Sequence, residues 1–232
     1  GRRSGLTSAL GRIGPAAASA LPELLALLPE ASAVRAVGEL GPAAAPAVPA
    51  LRPLLDHADW ETAFPAARAV WRITADPDLV LPVVARYLPE QGSGTGHQHA
   101  TIQAAGMLTD LGPAGATLAP RLRPLLAAPV LWIRLHAAVA LWDATGDTDT
   151  VLPVLTGAWA ENRHARRTVA RCLAAIGPAA AAAVPLLRAE LAEPRRHNVR
   201  SHGWSSSQVR DDEELLHACA AALAATEPSP GP

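Results

Sequence analysis

Apolar residues recur along this chain at steps of three and four. Val48, Leu51, Leu54 and Leu55 form one such run, and Leu118, Leu122, Leu125 and Leu126 form another. That spacing lines one face of a helix and predicts amphipathic helices throughout. The apolar–polar alternation of a half-buried strand is almost absent. Punctuation falls between the helical runs. Gly14-Pro15, Gly41-Pro42, Gly112-Pro113 and Gly177-Pro178 each place a residue able to close a helix before one suited to open the next. Asp76 and Asp78, and again Asp147 and Asp149, stand where helix caps belong.

The pattern repeats. The segment that opens at Gly41 returns at Gly112, with Leu51-Arg52-Pro53-Leu54-Leu55 matched by Leu122-Arg123-Pro124-Leu125-Leu126 and Trp71 by Trp142. Fixed-period self-similarity of this length marks a stacked array rather than a globule. Residues 1–13 read as the second helix of a unit whose first helix is absent, so the chain reads as a fragment. Units follow at 14–40, 41–78, 79–111, 112–149, 150–176 and 177–226, each helix–turn–helix, and 227–232 is a Pro-rich tail expected to fray. The expected fold is all-α, a right-handed α-solenoid of about six hairpins. A second proline (Pro22, Pro49, Pro82, Pro120, Pro153, Pro185) is expected to kink the first helix of each unit from within.

The second helices carry a common run: Ala66-Ala67-Arg68-Ala69-Val70, Ala137-Ala138-Val139-Ala140-Leu141 and Val169-Ala170-Arg171-Cys172-Leu173. With the Gly-Pro openings and the first-helix prolines, this resembles the HEAT-repeat family, in particular the short bacterial repeats called phycobilisome-lyase-like. The resemblance implies a ladder between an Asp in each intra-repeat turn, matched by Asp59, and an Arg early in the second helix, matched by Arg134, Arg166 and Arg3. Ala63 and Thr101 interrupt it. The family includes scaffolds, transport receptors, lyases and DNA glycosylases, so the resemblance carries fold further than function.

Composition narrows the chemistry. The basic residues are 20 arginines with no lysine, which fits a GC-rich bacterial source and excludes Schiff-base lysine catalysis. Net charge is −1, too little positive charge for a general nucleic-acid binder. Cys172 and Cys219 lie in Ala-rich runs and read as buried thiols in a reducing, cytoplasmic setting. No uninterrupted apolar run long enough for a membrane span is expected. No catalytic motif or nucleotide loop is present, and His97 with His99 falls short of a metal's ligand count. No catalytic residue, metal or cofactor is assigned.

Candidate binding residues follow from register. Two positions before the Leu or Val that ends the Ala-rich run of each second helix stand Ser8, Arg35, Arg68, Gly106, Val139, Arg171 and Ala221. One position after it stand Gly11, Gly38, Trp71, Thr109, Trp142, Ala174 and Ala224. Both rows are expected to face a groove of small residues, a few arginines and two tryptophans. A second candidate patch joins Arg163, Arg166 and Arg167 to an insertion carrying Arg195, Arg196, His197 and Trp204. The expected function is a non-enzymatic scaffold that binds a protein or peptide through the groove and the 193–214 loop. The alternatives are a DNA-binding, glycosylase-like protein or a bilin-lyase-like chaperone, and the resemblance supplies both.

Overall fold

The computed structural model describes residues 2–89, 98–194 and 206–226. Every regular element among them is helical. The chain runs through α1 (Arg2–Ile13), α2 (Leu21–Leu25), α3 (Ala31–Glu39), α4 (Val48–Leu55), α5 (Trp60–Thr74), α6 (Pro77–Tyr87), α7 (Gln98–Leu111), α8 (Ala119–Leu122), α9 (Leu131–Thr145), α10 (Thr148–Glu161), α11 (Arg166–Ile176), α12 (Val184–Ala192) and α13 (Ser206–Thr226). Even-numbered helices pack on the odd-numbered helix that follows, and successive odd-numbered helices lie side by side. The result is a solenoid-like fold with one continuous apolar layer between the two rows. Leu24, Leu51, Leu108, Leu122, Leu141 and Leu155 are fully buried there.

The Gly-Pro pairs act as their chemistry requires. Gly14, Gly41, Gly112 and Gly177 adopt positive φ (54 to 70°), a conformation that costs a side-chain-bearing residue energy. A seven-residue 3-10 turn then starts at each: Gly14–Ala20, Gly41–Ala47, Gly112–Leu118 and Gly177–Ala183. This corrects the role expected of the second proline. Pro22, Pro49, Pro120 and Pro185 occupy the first turn of α2, α4, α8 and α12, after those 3-10 turns. They open an α-helix instead of kinking one, because a missing N–H is harmless in a first turn. Only Pro82 and Pro153, in units without a Gly-Pro opening, sit inside continuous helices, α6 and α10. Asp76 and Asp147 cap those same helices, accepting from the backbone N–H of Asp78 and Thr150.

The ladder implied by resemblance takes another form. Asp59 caps α5 through the Glu61 N–H. Arg134 donates to the carbonyls of Ala128 and Pro129 in its own turn and pairs with Glu161. Arg166 donates to the Trp159 carbonyl, stacks over the Trp159 ring and pairs with buried Glu190 at 2.7 Å. Between units, arginines of even-numbered helices hold the preceding turn: Arg86 donates to the carbonyls of Leu55 and His57, and Arg121 to that of Leu88. The turns leave carbonyls unpaired, and a guanidinium with five donors can satisfy two at once.

By length and composition the stretch Arg163–Ala192 could cross a membrane, with a mean hydropathy of 1.6. The fold breaks it at Gly177 into α11, a 3-10 turn and α12, and buries Val169, Leu173 and Leu187 against its neighbours.

Candidate functional site: the face of the odd-numbered helices

The site is built from the last two turns of successive odd-numbered helices. Along α3 and α5, Arg35, Gly38 and Glu39 face Arg68, Ala69 and Arg72 across a cavity of about 420 Å³. Trp60, Phe64 and Pro65 give it an apolar bed, and Gln103 closes it from α7. Pro65 has no N–H, so the carbonyl of Glu61, itself on the cavity wall, loses its helical donor. A second cavity of about 390 Å³ continues between α1 and α3 and shares Arg35 and Glu39 with the first.

Charge in this region is mostly paired. Arg72 bonds Glu39, and the Arg68 Nε–H donates to the Asp110 carboxylate at 2.6 Å. Arg35 and Arg12, both exposed on these walls, have no acidic partner among the described residues.

The two rows expected from register differ in what surrounds them. Two positions before the Leu or Val, Arg35 and Arg68 line the cavity, and Arg171 is exposed beside His217 and Glu214 in a further hollow. The side chain of Ser8 lies outside the described residues. One position after the Leu or Val, Gly11 and Gly38 are buried against the neighbouring helix, whereas Thr109 and Ala224 are exposed. A Cβ on Gly11 would stand 3.3 Å from the Ala36 Cα, and one on Gly38 only 2.8 Å from the Ala69 Cα. Helix spacing explains this: the odd-numbered helices approach closely enough that their seam passes through that position.

Trp71 and Trp142 sit at the same seam position and are half-buried. The Trp71 Nε1–H donates to the Asp110 carbonyl on α7 at 3.2 Å. The tryptophans change the seam. Where the position holds Gly38, Thr109 or Ala174, the two helices touch along much of their length. At Trp71, α5 and α7 meet sparsely, and at Trp142, α9 and α11 barely meet. A bulky ring wedges apart what a glycine lets close.

The fold has a solved counterpart. The chain is similar to the structure of the complex of CpcE and CpcF of phycocyanin lyase from Nostoc sp. PCC7120, at 23% identity and a TM-score of 0.58, over 94% of this chain and 88% of that one. No family model and no curated protein sequence matches the chain. The likeness is one of fold.

At the far end, Arg167 pairs with Glu214 and Asp211 of α13 around a hollow that includes Arg163 and His164. Arg166 points instead to Glu190, away from that patch. Arg195, Arg196, His197 and Trp204 lie outside the described residues, as does His97. Titratable groups carry strong local signatures. Burial, with the Asp143 charge behind it, pushes the Cys172 thiol up to about 12. Burial does the same for Cys219, to about 12, with Glu190 adding to the rise and Arg166 opposing it. Neither thiol is a nucleophile at neutral pH. Burial also lowers the pKa of His136. Asp143, which in sequence stands out only as a carboxylate next to Trp142, is pulled both ways: burial raises its carboxyl, the Thr109 hydroxyl pulls it down, and Asp110 pushes it up again. The missed signal was the charge row at two positions after the Leu or Val.

Proposed function

We propose that the chain is a non-enzymatic binding module, a right-handed array of about six hairpins whose odd-numbered helices line a concave face for a partner polypeptide. The reading rests on one observation: two adjoining cavities meet at Arg35 and Glu39, with an apolar bed beside Arg35, which has no acidic partner among the described residues. An extended segment with an acidic residue next to an apolar one fits that pairing. Arg35 holds the acid beside the Arg68–Asp110 pair, Trp60 and Pro65 receive the apolar side chain, and Arg171 with the patch at Arg163 and Arg167 offers a further contact. Trp71 and Trp142 set the spacing of the helices that present the contacts. The test is retention of a protein from source-cell lysate on the full chain and on the double variant Arg35→Glu, Trp60→Ala. The variant should release the partner. A partner held equally by both would move the interface elsewhere.

A second reading is favoured by the fold likeness to a phycocyanin lyase complex. In it the chain works with a second helical protein on a bilin pigment. Co-expression with a bilin should then give a coloured, pigment-retaining chain, and a colourless product would remove this reading.

A further inference from the structure

Two positions past the Leu or Val, the first five odd-numbered helices carry charge: Arg12, Glu39, Arg72, Asp110 and Asp143; α11 and α13 carry Ala175 and Ala225. The acids among them are Glu39, Asp110 and Asp143. Glu39 has Arg72, and Asp110 has Arg68. Asp143 has no arginine, and its Oδ2 is buried with no hydrogen-bond partner. An unpaired buried carboxylate oxygen is costly, so its persistence calls for an explanation.

The Asp110 pair shows what is missing. Arg68 stands two positions before the Val of α5 and reaches the acid two positions after the Leu of α7. One helix further on, the same relation joins position 106 of α7 to Asp143 of α9. Position 106 is Gly, and a Cβ built there would meet nothing within 4 Å. A side chain at position 106 therefore has room at its first carbon, and the acid it would pair with is in place. The groups that act electrostatically with Asp143 are Thr109 and Asp110 on α7 and Cys172 on α11, and among the described residues no arginine forms an ion pair with it.

We infer that the gap over Gly106 receives a cationic side chain from a partner, a guanidinium that pairs with Asp143 as Arg68 pairs with Asp110. The inference rests on the binding-module reading and adds a second, basic requirement on the same partner, beyond the acidic residue met by Arg35. A partner guanidinium suits the site better than a metal ion, because a single carboxylate with a hydroxyl beside it lacks the ligands a metal needs.

The test uses the full chain with its carboxyl carbons observed by NMR, and N-acetyl-arginine amide as probe. Saturating probe should lower the Asp143 titration midpoint by about one pH unit, equivalent to a tenfold preference for the ionised acid. The neutral isostere N-acetyl-citrulline amide should leave it unmoved. Gly106→Arg should lower the midpoint without probe and abolish the response, while Gly106→Ala, which keeps the gap, should retain it. A midpoint that ignores the arginine probe, or follows the citrulline probe equally, overturns the inference. If the probe acts at Asp143 but no polypeptide depends on Arg35 and Trp60, the binding-module reading fails alone. If the partner depends on Arg35 and Trp60 and the probe does nothing, the arginine gap fails alone.

Discussion

Gly38 and Trp71 occupy the same position one unit apart, and they make opposite seams. At Gly38 the backbones of α3 and α5 come so close that even a methyl group would collide with the Ala69 Cα. At Trp71 the ring holds α5 off α7, and the opening is bridged by polar contacts: the Arg68–Asp110 pair and the indole bond to the Asp110 carbonyl. Trp142 repeats the wedge between α9 and α11, and Val139 and Ala175, at the positions that Arg68 and Asp110 hold one wedge earlier, carry no charge to bridge it. A tight seam is stabilised by dispersion between close backbones. A wedged seam depends on a filled ring site and on charge. One residue choice per unit thus sets both the spacing of the row and the chemistry exposed along it.

Swapping the two seam types should give the largest effect. Gly38→Trp forces a side chain against backbone, and overpacking of this kind costs about 3 kcal/mol. Urea unfolding should show the loss at unchanged slope, and a neutral result would show that the seam is softer than its geometry implies. Trp71→Ala removes a half-buried ring and its hydrogen bond, and should cost about 2 kcal/mol, below the usual figure for a fully buried ring. Amide hydrogen exchange should then rise first in α7. Both wedge helices end in the left-handed region, α5 at Ala75 (φ 50°) and α9 at Gly146 (φ 70°). Ala75→Gly relieves strain that glycine escapes and should stabilise the fold by about 1 kcal/mol, raising Tm. An unchanged Tm would mean the extra unfolded-state entropy of glycine cancels the gain.

Smaller effects test the charges. Arg68→Ala breaks an ion pair whose members are each more than a third exposed, so the loss should stay within about 0.5 kcal/mol and shrink in high salt. Asp143→Asn probes the acid at the α7–α9 seam that has no arginine. Its raised folded pKa means that folding binds the proton better than the unfolded chain does. Stability associated with that proton is complete below the ordinary value of 3.8 and is lost as pH rises through the folded value. The asparagine variant should therefore match the parent at low pH and exceed it at neutral pH. Tm measured across that range checks the sign, and a variant less stable at pH 7 would reverse the assignment.

Much of this molecule was legible beforehand. The Gly-Pro pairs announced the turns at Gly14, Gly41, Gly112 and Gly177, because a positive φ followed by a fixed one leaves the chain few alternatives. Asp76 and Asp147 announced caps, since a short carboxylate before a helix has one ready use. The apolar steps announced which leucines are buried. These are local facts, set by bonds and by neighbours within a turn. The site was less legible: register places Arg35 and Arg68 on one face, but that Arg68 has an acid across the seam and Asp143 has no arginine depends on helices distant in sequence.

What the chain alone determined, then, is where it is helical, where it turns and which side of each helix avoids water, because those depend on periodicity and backbone sterics. Only the packed structure decided whether a position opens onto a groove or closes against the next helix. That choice depends on the distance between helices far apart in sequence, and one glycine or one tryptophan at the seam changes it. The same holds for Asp143, whose missing partner becomes visible only when α7 and α9 stand side by side.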